Sequence, residues 1–187
     1  MPVRPIVITG DPVLHSVATP VTAFDESLAS LIADMYETMD EAPGVGLAAP
    51  QVGVGLRVFV YDYPEDDGTP RRGVAVNPEL FISPTEVRVP SAADDEGCLS
   101  FPGERFPLVR AEKAILRAQD ENGVPFEIEC DGWFARIMQH EFDHLNGLLY
   151  VDRLAHSEKK QADKARKHNG WGKPGNTWMP GVDNLDD

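Results

Sequence analysis

The chain has 187 residues, 42% hydrophobic and 26% charged, with a formal net charge of -14. That length suits one domain with a real core and is short for two. The acidic balance argues against a surface built for nucleic acid or anionic membrane, so direct binding of neither is expected. No run reaches the roughly 18 apolar residues of a membrane span. Residues 1–10, with Pro2, Arg4 and Pro5, lack the apolar centre of a secretory signal, and a cytoplasmic location is the expectation.

Residues 26–40 carry Leu28, Leu31, Ile32, Met35 and Met39 at a helical period, with Asp25 as N-cap candidate and Pro43-Gly44 as the stop. Short strands are expected over 56–62, 73–82, 85–89, 107–118 and 124–130. Residues 63–72, holding Pro64, Glu65, Asp66, Asp67, Gly68 and Pro70, read as an exposed turn. Asn122 and Gly123 read as the hairpin turn between the last two strands. A second helix is expected to start at Asp131, its N-cap candidate, and to end near Asn146-Gly147. On it Trp133, Ile137, His140 and His144 share one face, beside a stripe of Phe134, Met138, Glu141 and Leu145, so a site there is buried. The stretch 157–168 is basic and reads as a solvated helix, and the tail after Gly170 is loop-like, its Trp171 and Trp178 docking back.

These elements predict an α+β class: antiparallel strands around a central metal-binding helix, with an N-terminal helix, a C-terminal helix and an irregular tail. A single catalytic domain over 1–187 is expected, its motif-bearing core at about 1–155 and its basic segment and tail at 156–187.

Residues 140–144 read His-Glu-Phe-Asp-His. On a helix, His140 and His144 lie one turn apart on one face and can share a divalent ion, with Glu141 able to handle the proton of a bound water. Two histidines on an apolar face are more often packing, but the glutamate between them has zinc-hydrolase spacing. A third ligand is then needed. The metzincin pattern continues through Gly147 and fails at Tyr150, whose phenol must lose a proton of pKa about 10. Glu158, the only glutamate downstream, lies in a polar, basic stretch. Cys98, beside Gly97, offers a thiolate suited to zinc or ferrous iron. Cys130 ends an alternating segment and reads as a small buried hydrophobe, with a single disulfide between the two cysteines left open.

Residues 44–51 read Gly-Val-Gly-Leu-Ala-Ala-Pro-Gln. This is neither a dinucleotide fingerprint nor a P-loop. Its small residues let backbone approach a ligand, and Gln51 supplies an uncharged N–H donor for an oxyanion.

Taken together and in this order, the segments 44–51, 96–100 and 140–144 resemble the peptide deformylases, whose marks are G-φ-G-φ-A-A-x-Q, E-G-C-φ-S and H-E-x-D-H. Residues 11–14 are similar too, whereas the C-terminal part is less typical. The resemblance implies metal-dependent hydrolysis of the formyl group from the N-terminal formylmethionine of newly made polypeptides, releasing formate. It implies one divalent metal on Cys98, His140 and His144, natively Fe2+, with Zn2+, Ni2+ or Co2+ as substitutes. A metal-bound water would be the nucleophile, Glu141 the general acid/base, and the Gln51 side chain and Leu99 backbone N–H the oxyanion donors.

Val45, Gly46 and Gly97 are expected to line the substrate groove, and Trp133 and Ile137 the methionine side-chain pocket. Asp143 is expected to orient a ligand or anchor the helix through an arginine, and Glu96 to pair with Arg105 or Arg110. Expected partners are formylmethionyl peptides and nascent chains, with transient ribosome contact for which 159–168 is the basic handle. Two other readings stand beside this one: a zinc endopeptidase, and a metal-binding module that kept only a peptide groove. Glu141 and Gln51 speak against the module, since neither is needed merely to hold metal.

Overall fold

In the computed structural model, which describes residues 2–64, 68–183 and 185, strand β3 (Val58–Asp62) is covered on both faces. Successive side chains of a strand point to opposite sides. Val58 and Val60 therefore meet one helix, α1 (Glu26–Glu41), through Met35 and Met39. Phe59 and Tyr61 meet the other, α2 (Gly132–Leu145), through Phe134, Met138 and Leu145. β3 is second in a five-stranded antiparallel sheet that also contains β2 (Gly46–Ala48), β4 (Arg72–Ile82), β7 (Lys113–Gln119) and β8 (Pro125–Asp131), in the order β2-β3-β4-β7-β8.

A separate hairpin, β5 (Asp95–Cys98) and β6 (Phe101–Pro107), packs with Leu149, Tyr150 and Val151. α3 (His156–His168) adds Ala162 to that cluster and leaves its basic side chains outside. The chain's two ends close on each other as β1 (Ile6–Val7) pairs with β9 (Thr177–Trp178). The class is α+β, as the sequence predicts.

Asp25 caps α1 as expected, its carboxylate accepting the Ser27 and Leu28 N–H groups. Asp131 stands at the N-cap position of α2 but its carboxylate caps nothing, and Gly132 at φ 51° makes the turn out of β8 instead. The turn at Asn122-Gly123 is present, with the Asp120 carboxylate accepting the Asn122 and Val124 N–H groups. Both tryptophans dock: Trp171 packs edge-on against Phe101, and Trp178 is buried. Of the expected turn 63–72, Glu65, Asp66 and Asp67 lie outside the described residues.

Two expectations about strands are corrected, and the open question of a disulfide is settled. Residues 85–89 form no strand; Val87 and Val89 project into solvent, and Arg88 is held by Asp94 and Glu86 rather than by a neighbouring strand. The strand expected over 107–118 divides into the end of β6 and β7, because Arg110 turns inward to Glu96 and Asp143. Cys98 and Cys130 are both free thiols, so no disulfide joins them. Among the described residues no helix is long and apolar enough to cross a membrane.

Gly147 ends the turn after α2 at φ 73°, and a Cβ there would sit 2.9 Å from backbone atoms of His15 and Ser16. Left-handed backbone and close approach both require glycine. Gly147→Ala should lower stability by more than about 1 kcal/mol, read as a lower urea midpoint at constant slope. An unaltered midpoint would contradict this packing.

Candidate metal centre

Three potential ligand atoms converge where β5 meets α2. Cys98 Sγ lies 3.4 Å from His144 Nε2, which lies 3.2 Å from His140 Nε2. All three atoms fall within 4.8 Å of one another. His144 is fully buried, and the His140 side chain keeps 11% of its surface open. Burial pulls the His144 imidazole well below its usual range, and neighbouring His140 adds to that. Burial also pulls on His140, but Cys98 and Glu96 outweigh it and hold that imidazole above its usual range.

The tautomer of His140 follows from its neighbour. Glu96 Oε1 accepts from His140 Nδ1 at 2.6 Å, which keeps a proton on Nδ1 and turns Nε2 toward His144 and Cys98. Two imidazole nitrogens and a cysteine sulfur packed this closely fit one shared cation. Tyr150 is no ligand: its hydroxyl donates to the Glu104 carbonyl and its ring packs at 6.1 Å from the His140 ring.

Glu96 is itself fastened. Arg110 donates to both its oxygens at 3.1 and 2.6 Å, and Arg136 donates to Oε2 at 3.0 Å. Burial alone would raise the Glu96 carboxyl; His140 and Arg110 reverse that and hold it well below the usual carboxylate range. Arg110 also reaches Asp143 at 2.6 Å, and Arg153 grips Asp143 through both its oxygens. Asp143 thus anchors α2 through two arginines, as the sequence suggests. Of the two arginines expected for Glu96, Arg110 forms the pair, while Arg105 lies exposed over Gly97.

Glu141 points into the same cleft. Burial pushes its carboxyl up to about 7, and Oε2 has no hydrogen-bond partner. Gln51 stands opposite in a short helical turn. Its Oε1 accepts the Ala48 N–H at 2.8 Å, which directs Nε2 toward Cys98 Sγ, 3.7 Å away. Leu99 follows Cys98 in the turn between β5 and β6, and its carbonyl accepts the Trp178 indole N–H at 2.8 Å.

Val45, Gly46, Gly97, Trp133 and Ile137 line this cleft with Cys98, His140 and Glu141. Val45 and Trp133 form its exposed rim, whereas Ile137 is buried and also packs the core. Two participants escaped sequence reading. One is Arg136, which stacks 4.8 Å over the Trp133 ring and ties that wall to Glu96. The other is the Glu96–His140 bond. Glu96 and Cys98 are two apart on one strand and so share a face, a signal that was available.

The family model described as Polypeptide deformylase matches residues 3–160. The chain belongs to that family. A peptide deformylase of Mycobacterium sp. (strain JLS) is 51% identical over 191 aligned positions, covering 98% of this chain and 97% of the relative. Another, from Mycolicibacterium paratuberculosis, is 53% identical over 189 positions, covering 97% and 96%. The crystal structure of the Legionella pneumophila peptide deformylase aligns with TM-score 0.78 and 42% identity, over 90% of this chain and 96% of that one. The Synechococcus elongatus peptide deformylase, solved in complex with actinonin, aligns with TM-score 0.77 and 36% identity, over 89% and 87%. The chain is therefore a metal-dependent hydrolase of the deformylase family, which removes N-terminal formyl groups in protein biosynthesis.

Within the family's first motif, Gly46 has no room for a side chain, since a Cβ there would overlap the Glu141 carboxylate. Gly46→Ala should displace the Glu141 carboxylate from the cleft, leaving metal content intact and cutting deformylation by about 10²-fold, the scale of one displaced active-site group. Wild-type turnover in a folded, metal-replete Gly46→Ala protein would contradict the contact.

Proposed function

We propose that the chain hydrolyses the formyl group from the N-terminal formylmethionine of newly made polypeptides, releasing formate. The observation that carries this reading is the meeting of Cys98, His140 and His144 with the Glu141 carboxylate and the Gln51 amide in one cleft. Cys98, His140 and His144 would hold a divalent ion, which would supply a Lewis acid to acidify water; the sulfur-nitrogen set suits Fe2+ as the native metal, with Zn2+, Ni2+ or Co2+ as substitutes.

Glu141 takes a proton from the attacking water and delivers it to the methionine nitrogen as the formyl C–N bond breaks. The water oxygen ends in formate. Gln51 Nε2 and the Leu99 N–H donate to the negative charge that grows on the formyl oxygen. Val45, Gly46 and Gly97 align the peptide. β2 is an edge strand of its sheet and β5 belongs to a separate hairpin, so an extended substrate can hydrogen-bond along the strand edges bordering the cleft. Trp133 and Ile137 receive the methionine side chain. Residues 1–187 act as one catalytic domain in the cytoplasm, meeting nascent chains by transient ribosome contact through basic α3.

Formate release from formyl-Met-Ala tests the proposal against internal cleavage of a longer unformylated peptide. The first reaction alone is expected. Glu141→Gln should keep one metal per chain while losing about 10²–10⁴ in turnover. Internal cleavage without formate release, or full activity of the Gln variant, would overturn it.

A further inference from the structure

An N–H donor helps an oxyanion only if it is aimed, and Leu99 occupies a turn whose own ladder defines it poorly. The register of β5 against β6 shifts between Gly97 and Cys98, and Leu99 and Ser100 are the two residues joining the strands. What holds this turn comes from the two ends of the chain. The Leu99 carbonyl accepts the Trp178 indole N–H at 2.8 Å, and the Ser100 carbonyl accepts the Thr9 N–H at 2.9 Å. Trp178 is 3% exposed and shares one core cluster with Leu99.

The tail that delivers Trp178 is tied down on both sides of it. Before it, Gly172 N–H donates to the Thr9 carbonyl and Ile8 N–H to the Asn176 carbonyl, at 3.0 and 2.9 Å. Trp178 itself pairs with Ile6 across β9 and β1. After it, Gly181 lies against the Glu41 carboxylate at the end of α1, where a Cβ would overlap it. The Leu185 carbonyl oxygen stands 3.0 Å from where a Cβ would project at Gly103 on β6. The tail thus runs from the N-terminal strand past the end of α1 to the β5–β6 hairpin.

The structure assigns Trp178 as a positioning residue for deformylation: its indole N–H fixes the Leu99 carbonyl, and through the shared Cα it steadies the adjoining peptide unit that carries the Leu99 N–H. This rests on the reading of Leu99 as an oxyanion donor. Leu99 is then held between Cys98, whose sulfur contacts Gln51 and His144, and the anchored indole. A donor must lie about 2.7–3.1 Å from the oxyanion, and losing one costs about 10²–10³ in rate, so a misaimed one costs about tenfold. Trp178→Phe keeps an aromatic ring but removes the N–H, so a buried carbonyl loses its partner, and as the Leu99–Ser100 unit turns toward other donors the Leu99 Cα and its N–H shift with it.

The test pairs kinetics on formyl-Met-Ala with the ¹⁵N–¹H resonance of Leu99 in the zinc-loaded enzyme. Trp178→Phe should lower kcat about tenfold and leave KM within about twofold, because the donor acts chiefly in the transition state. Zinc content should stay at one per chain, and the Leu99 amide resonance should move. If Trp178→Phe does not fold, benzothienylalanine at position 178, isosteric with tryptophan and lacking the N–H, replaces it in both measurements. An unmoved Leu99 resonance overturns the assignment whatever kcat does. A moved resonance with wild-type kcat shows instead that Leu99 is not the donor, and the assignment falls with that reading.

Discussion

A buried carboxylate, Glu96, must stay charged, and the centre is organised around the hydrogen-bond donors that allow it. In a low-dielectric site an unpaired carboxylate would take up a proton and release its neighbours. Arg110, Arg136 and His140 all converge on it. Two of these residues belong to α2 and the third to the link between β6 and β7, so satisfying one charge fastens the strand that carries Cys98 to the helix that carries the histidines. Breaking such a buried pair typically costs about 3–5 kcal/mol. The same bond selects the His140 tautomer that faces a metal.

Layering supplies the rest of the geometry. α2 is held by the sheet through Phe134, Met138 and Leu145, which stand beside its site residues on the helix. Asp143 ties the helix to Arg110 and Arg153. The Glu141 carboxylate fills the space beside β2, so a side chain at position 46 could enter only by displacing it. Packing, ion pairing and chemistry meet along one turn of helix.

Much of this was legible in the chain. The apolar period of 26–40 located α1 and its Asp25 cap, and the two histidines with Cys98 came together as their types and spacing suggested. Other parts depend on contacts far apart in sequence. β2 and β5 are three and four residues long and contain glycine, so no alternation marks them. Residues 85–89 do alternate, yet Val87 and Val89 have no apolar layer to cover them. The break at 108–112 belongs to Arg110, whose partners lie 14 and 33 residues away. Trp178 was expected to dock, but its bond to Leu99 spans 79 residues and left no local pattern.

Glu96 aligns the ligands through its bond to His140, and zinc affinity measured by chelator competition reports on that directly. Glu96→Gln keeps the size of the side chain and removes its charge. The folded variant, checked by circular dichroism, should bind zinc about 10- to 100-fold more weakly than the parent chain. Undiminished affinity in the folded variant would show that the three ligands hold their geometry without it.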